Sequence, residues 1–150
     1  RKESSAASDV YKRQGNDAVD FSGSRVKAKN ITMDKIGDKA ISAGEMTSLS
    51  IEDINIKNTA ISVCSKDLST IKGSNIFISN SQIGTTAFQK KTEYGPATIS
   101  LNNVNIFDTD ISHLIEEKSI CTINNKQIDI SGNEKVKNIL YGVEYGKASK

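Results

Sequence analysis

The sequence predicts an all-β protein, a single-stranded right-handed parallel β-helix in which about five coils stack as a solenoid, with three short strands per coil. Three observations carry the prediction. Isoleucine outnumbers leucine 20 to 5, and β-branched side chains at that ratio favour pleated strands over helices. Apolar and polar residues alternate in short runs such as Ile54-Asn55-Ile56 and Ile76-Phe77-Ile78, the period-two signature of a strand with one buried face. Finally, the runs recur at fixed intervals. Ile31, Ile54, Ile76 and Val104 are separated by 23, 22 and 28 residues; Val26, Leu49, Ile71 and Ile99 keep the same three intervals, as do Met33, Ile56, Ile78 and Ile106. Three positions holding one register define a repeating coil.

Four segments superpose on this register: 19–33, 41–56, 61–78, and 83–88 followed after a longer loop by 97–106. A fifth, weaker coil runs through Ile120, Ile123, Ile128 and Ile130. A leucine-rich repeat would need leucine at fixed positions, a sandwich would show no fixed period, and a helical solenoid would need 3.6-residue spacing. Corner residues agree with the coil. Asn30, Asp53, Asn75 and Asn103 precede the third strand of their coils, and Lys35, Asn58, Asn80 and Asp108 follow it. Asparagine and aspartate tolerate the left-handed backbone that tight corners require. The outward first face reads as Asp20, Ser42, Ser62 and Gly84, small and flat and suited to lying against another surface. Phe77 and Phe107 point outward from the third strand and are expected to pack beneath a loop or the C-terminal segment.

Composition narrows the function. A formal net charge of +2 on 150 residues gives no basic field for nucleic acid. No apolar run reaches the roughly 18 residues of a membrane span. Cys64 and Cys121 lie 57 residues apart, between two and three coils, so two free thiols are expected rather than a disulfide, with no metal-site spacing. Residues 1–14 stand apart: SAASDVYKRQ at 5–14 resembles translated adapter read-through, so this stretch is expected to be a non-native tail outside the coil, with the native N-terminus missing. The β-helix then spans 15–131, and 132–150 forms a C-terminal cap or linker.

The strings GNDAVDFSGS (15–24), GDKAISAGE (37–45), SKDLS (65–69) and FQKKTEYGPA (88–97) resemble right-handed β-helix repeat segments of bacterial surface and secreted proteins, most closely those beside spore-coat-H-type kinase-like domains. The wider class is the pectin-lyase-like superfold. The resemblance implies an extracellular or cell-surface location and neighbouring domains on the same longer chain. It does not settle activity, because that superfold hosts lyases, hydrolases, adhesins and non-catalytic spacers. The GNDAVD and GDKAIS strings are similar to the Gly-Asp-Asp stretch of pectin-degrading hydrolases, but Lys39 replaces the second aspartate in the second copy, and the Gly-His-Gly and Arg-x-Lys elements are missing. Asp17 and Asp38 read as corner residues after glycine.

One edge gathers charge. The register places Glu45, Lys66 and Asp67 at the corner after the first strand, and the inserted loop at 88–96 emerges there with Lys90, Lys91, Glu93 and Tyr94. Glu45, Lys66, Asp67, Lys90, Lys91 and Tyr94 are therefore the candidate ligand-binding residues, set against an alternative in which they form an inter-coil ion-pair ladder. No catalytic residue, metal ligand or cofactor is assigned. The expected function is a non-catalytic β-helix module of a larger bacterial surface or secreted protein, monomeric, serving as rigid scaffold or carbohydrate-contacting spacer with polysaccharide as partner. The alternative is a fragment of a polysaccharide-active lyase or hydrolase.

Overall fold

A computed structural model describes residues 2–6, 9–14 and 17–140 of the chain. It is a parallel β-solenoid of about five right-handed turns. In chain order the elements are β1 (Lys2–Ala6), β2 (Asp9–Gln14), β3 (Val19–Ser22), β4 (Ser24–Gly44), β5 (Ser48–Lys66), β6 (Thr70–Phe88), β7 (Thr98–Phe107), β8 (Ile111–Ile115), β9 (Ile120–Ile123), β10 (Lys126–Gln127) and α1 (Asn133–Leu140). Each parallel strand pairs with the one a coil later.

The interior is built of side-chain columns. Val26, Leu49, Ile71, Ile99 and Cys121 stack in one, and Ile31, Ile54, Ile76 and Val104 in a second. Met33, Ile56, Ile78 and Ile106 form a third. Full burial of each isoleucine contributes roughly 1.5–3 kcal/mol, so the columns carry the stability of a coil that has only one interior layer per wall. Gly73 breaks the column of Ala28, Ile51, Leu101 and Ile123 for a steric reason: a Cβ there would overlap the carbonyl oxygen of Ile51.

The predicted three strands per coil run together as long extended paths such as Ser48–Lys66, folded at single residues without loss of the ladder. The folds are the predicted corners. Asn30, Asp53, Asn75 and Asn103 have φ between 52° and 61°, and Lys35, Asn58, Asn80 and Asp108 between 47° and 60°. Their side chains bond one another from coil to coil: Asn75 Nδ2 donates to Asp53 Oδ1 at 2.9 Å and Asn103 Nδ2 to Asn75 Oδ1 at 2.7 Å. At the second corner Asn80 Nδ2 donates to Asn58 Oδ1 at 2.6 Å, and Asn58 Nδ2 to Asp34 Oδ1 at 2.7 Å.

Several expectations need correction. The first-face register is Asp20, Ser42, Cys64, Thr86 and Leu114, not Asp20, Ser42, Ser62 and Gly84. A register shift between Ile36 and Lys39 absorbs one residue, and Ile41 faces Val63 rather than Ile61. That face does lie against another surface: Ile61, Cys64, Ile83, Phe88 and Leu114 form a second apolar cluster with Val136 and Leu140 of α1. In the fifth coil Cys121 and Ile123 are buried, whereas Ile120 and Ile130 are exposed. The two cysteines are free and buried on opposite sides of the wall, Cys121 inside the coil and Cys64 beneath the helix.

The N-terminal stretch also differs from the expectation that it lies outside the coil. β1 pairs in parallel with Ser24–Ala28, and β2 with β4 from Ile31 to Ile36. The first coil presents a row of unpaired backbone N–H and C=O groups, and an extended segment at the 22-residue offset satisfies them. At the other end β10 folds back antiparallel on β9 through Asn124 and Asn125, both with positive φ, which closes part of that edge.

Candidate functional site

The corner after the first strand turns through left-handed residues at a 22-residue interval. Gly23, Glu45 and Asp67 occupy it with φ of 57°, 54° and 53°. Gln89 stands one interval later, where the inserted loop begins. The loop does not extend into solvent. It folds back as a strap over coils already formed, and this brings all six predicted residues to one edge.

Glu45 is the point where the strap lands. Its Oε1 accepts from Ser22 Oγ at 2.6 Å, and its Oε2 meets Lys91 Nζ at 3.1 Å and Tyr94 Oη at 3.5 Å. The Ser22 hydroxyl first, then Lys91 and Tyr94, hold its carboxyl below the ordinary glutamate value. Asp67 has no exposed surface, and its Oδ1 accepts from the backbone N–H groups of both Lys90 and Lys91 at 2.7 Å. It therefore initiates the strap as a capping carboxylate does a helix. Gln89 organises the strap from within, donating through Nε2 to the carbonyl oxygens of Lys91 and Tyr94 at 3.1 and 2.9 Å. Leu68 N donates to Gly95 O at 3.0 Å, and the Leu68 side chain fills the space where a Gly95 Cβ would stand. Lys66 lies across Gly44 in the same way.

Of the six residues, Glu45, Asp67, Lys91 and Tyr94 thus hold one coil to another. Lys66 and Lys90 face each other as like charges. Burial, then the neighbouring Lys66 and Lys39 ammonium groups, push Lys90 below the usual lysine range, with Asp67 acting in the other direction. Ser22, Gln89 and Glu116, whose Oε1 accepts from Gln89 N–H at 3.0 Å, were missed by the sequence reading. Gln89 was within reach of it, because it continues the Gly23, Glu45, Asp67 interval.

A second charged group lies at the preceding corner. Lys39 is almost fully buried, with Nζ 3.2 Å from Asp38 Oδ1 and 3.7 Å from Asp17 Oδ1. Its backbone N–H donates to Asp17 Oδ1 at 3.1 Å. Burial raises Asp17 above the ordinary aspartate value despite Lys39. Burial also opposes the charge on Lys39, but nearby Cys64, Asp17 and Asp38 together keep its pKa raised. The residue that departs from the hydrolase-like string is therefore the centre of a structural triad. In the fifth coil, His113 Nδ1 lies 2.7 Å from Thr85 Oγ1, which also contacts Cys121 Sγ at 3.8 Å. Burial pushes His113 down from its ordinary value.

Phe77 and Phe107 correct the expectation of a covering segment. Their rings pair at 5.3 Å, tilted 43°, and remain 43% and 49% exposed. The C-terminal helix packs on the first wall, not over this ring pair. Among the described residues no group of three or more His, Cys, Asp or Glu side chains gathers as a metal site, and no helix is long and apolar enough to cross a membrane. No protein-family model matches the chain, nor does any curated protein or solved structure.

Proposed function

We propose that this chain is a non-catalytic, rigid β-solenoid module of a larger bacterial surface or secreted protein, working as scaffold or carbohydrate-contacting spacer. One observation carries the reading. Two carboxylates at the charged edge, those at the corner itself, are spent on the fold: Glu45 on Ser22, Lys91 and Tyr94, and Asp67 through Oδ1 on two backbone N–H groups. A general acid or base must be free to exchange a proton with substrate, and a capping carboxylate is not. The surface and secreted location follows from the resemblance of strings such as 15–24 and 37–45 to repeat segments of such proteins, within a pectin-lyase-like class.

The test is incubation of the chain with acidic and neutral polysaccharides, reading new reducing ends and unsaturated uronate absorbance. No turnover is expected. Turnover abolished by Glu45→Gln or Asp67→Asn would return the chain to the polysaccharide-active class and end the spacer reading.

A further inference from the structure

Beside the strap, between it and α1, is a cleft of about 310 Å³. Lys90 and Lys91 line it from the strap, Lys137 from the helix, and Glu116 from the end of the adjoining strand. Its charges do not balance: three lysines line it against one carboxylate, Glu116, whose Oε1 accepts from Gln89 N–H at 3.0 Å. Lys91 is turned to Glu45 at 3.1 Å. Among the described residues, Lys90 and Lys137 have no carboxylate within ion-pair distance. Lys66 adds its field to that of Lys90. The remaining lining is hydroxyl and amide, from Thr92 and Asn133.

From this we infer that the cleft binds a tetrahedral oxyanion, phosphate or sulfate, either free or as an ester on a sugar. The geometry favours this class over a planar carboxylate. Cations converge from two elements, and a tetrahedral ion offers acceptor oxygens in several directions at once. The cleft has the size of a small-ligand site and can take a sugar ring bearing such a group. Lys90 stands near the like charge of Lys66, only partly opposed by Asp67, and a bound anion would offset that charge. The inference goes beyond the scaffold reading and does not depend on it.

The experiment is calorimetric titration of the full chain at low ionic strength with sodium phosphate, sodium sulfate, glucose 6-phosphate and glucose. Saturable binding of the anions is expected at about 1 mM or tighter, with none for glucose. Tighter binding of glucose 6-phosphate than of inorganic phosphate identifies the ester as the ligand form, and the reverse order identifies the free ion. Lys90→Gln with Lys137→Gln should weaken binding at least about tenfold, whereas Lys29→Gln, which pairs with Glu52 on the second wall and does not line the cleft, should not. Circular dichroism melting establishes that the double variant is folded; Lys137→Glu alone, on the exposed side of the helix, is the second variant and should also weaken binding. Absence of saturable binding overturns the proposal, as does anion binding unchanged in both lysine variants. Polysaccharide turnover, read separately, bears only on the scaffold reading.

Discussion

A buried carboxylate destabilises a fold unless hydrogen bonds replace the water it loses. Asp67 meets that condition at Oδ1 through two backbone N–H groups, while its buried Oδ2 has no hydrogen-bond partner among the described residues, and its left-handed backbone suits an acidic residue better than alanine. Asp67→Ala is expected to cost about 2–4 kcal/mol in urea unfolding, and Asp67→Asn, which keeps a neutral acceptor and tolerates the corner, distinctly less. Glu45 gives a pH dependence. Its carboxyl is held below the ordinary value of 4.5 by Ser22, Lys91 and Tyr94. A carboxylate depressed in the folded state stabilises it above the unfolded value, and that contribution is lost as pH falls through the folded value. The melting temperature of the wild type should exceed that of Glu45→Gln near neutrality, and the difference should close in acid, below 4.5. At this scale the sequence named residues that the strap brings together, and it left a ligand groove and an inter-coil ladder both open. Spacing placed Glu45, Asp67, Lys91 and Tyr94 together, but it could not show that they face each other rather than a ligand, because that depends on the path of the strap.

Corners and the helix are the elements that decide the shape. The corner asparagines were legible, since few residue types accept positive φ and they recur at the same 23-, 22- and 28-residue intervals as the core columns. Asn75 separates two contributions, its backbone at φ 61° and its place in the side-chain ladder. Asn75→Val should destabilise by about 1–2 kcal/mol more than Asn75→Gly, because both lose the ladder and only valine meets the steric penalty of the left-handed region. The helix position was not legible. Its apolar residues Val136 and Leu140 show one face, but nothing local says that the face packs sideways onto the first wall. The misplaced register of that wall has the same origin: the shift between Ile36 and Lys39 leaves no mark in composition. Thiol chemistry can report the docking. Burial pushes Cys64 to a pKa of about 11, and both thiols should be inert to a thiol reagent in the native protein. Val136→Asp places a charge in the apolar cluster and should expose Cys64 while Cys121, inside the coil, stays protected. Reaction of both thiols together would show that the helix does not unfold on its own.

In a stack of coils each layer touches only the layers beside it, and stability is a sum of layer terms and nearest-neighbour contacts. That much was readable from three columns repeating one interval. The strap departs from it. It begins at Gln89 in one coil, crosses the Asp67 corner of the coil before it, and ends on Glu45 a coil further back. Shortening 90–95 to a tight glycine-serine link should lower the urea m-value and broaden the unfolding transition, whereas the native far-ultraviolet dichroism, which reports the backbone ladder, should be unchanged. The physical meaning is a next-nearest-neighbour coupling in an otherwise one-dimensional system. Without it the molecule can open like a zipper, one turn at a time from either end. With it the middle turn cannot leave before the turns above and below have parted, and three layers melt as one cooperative block.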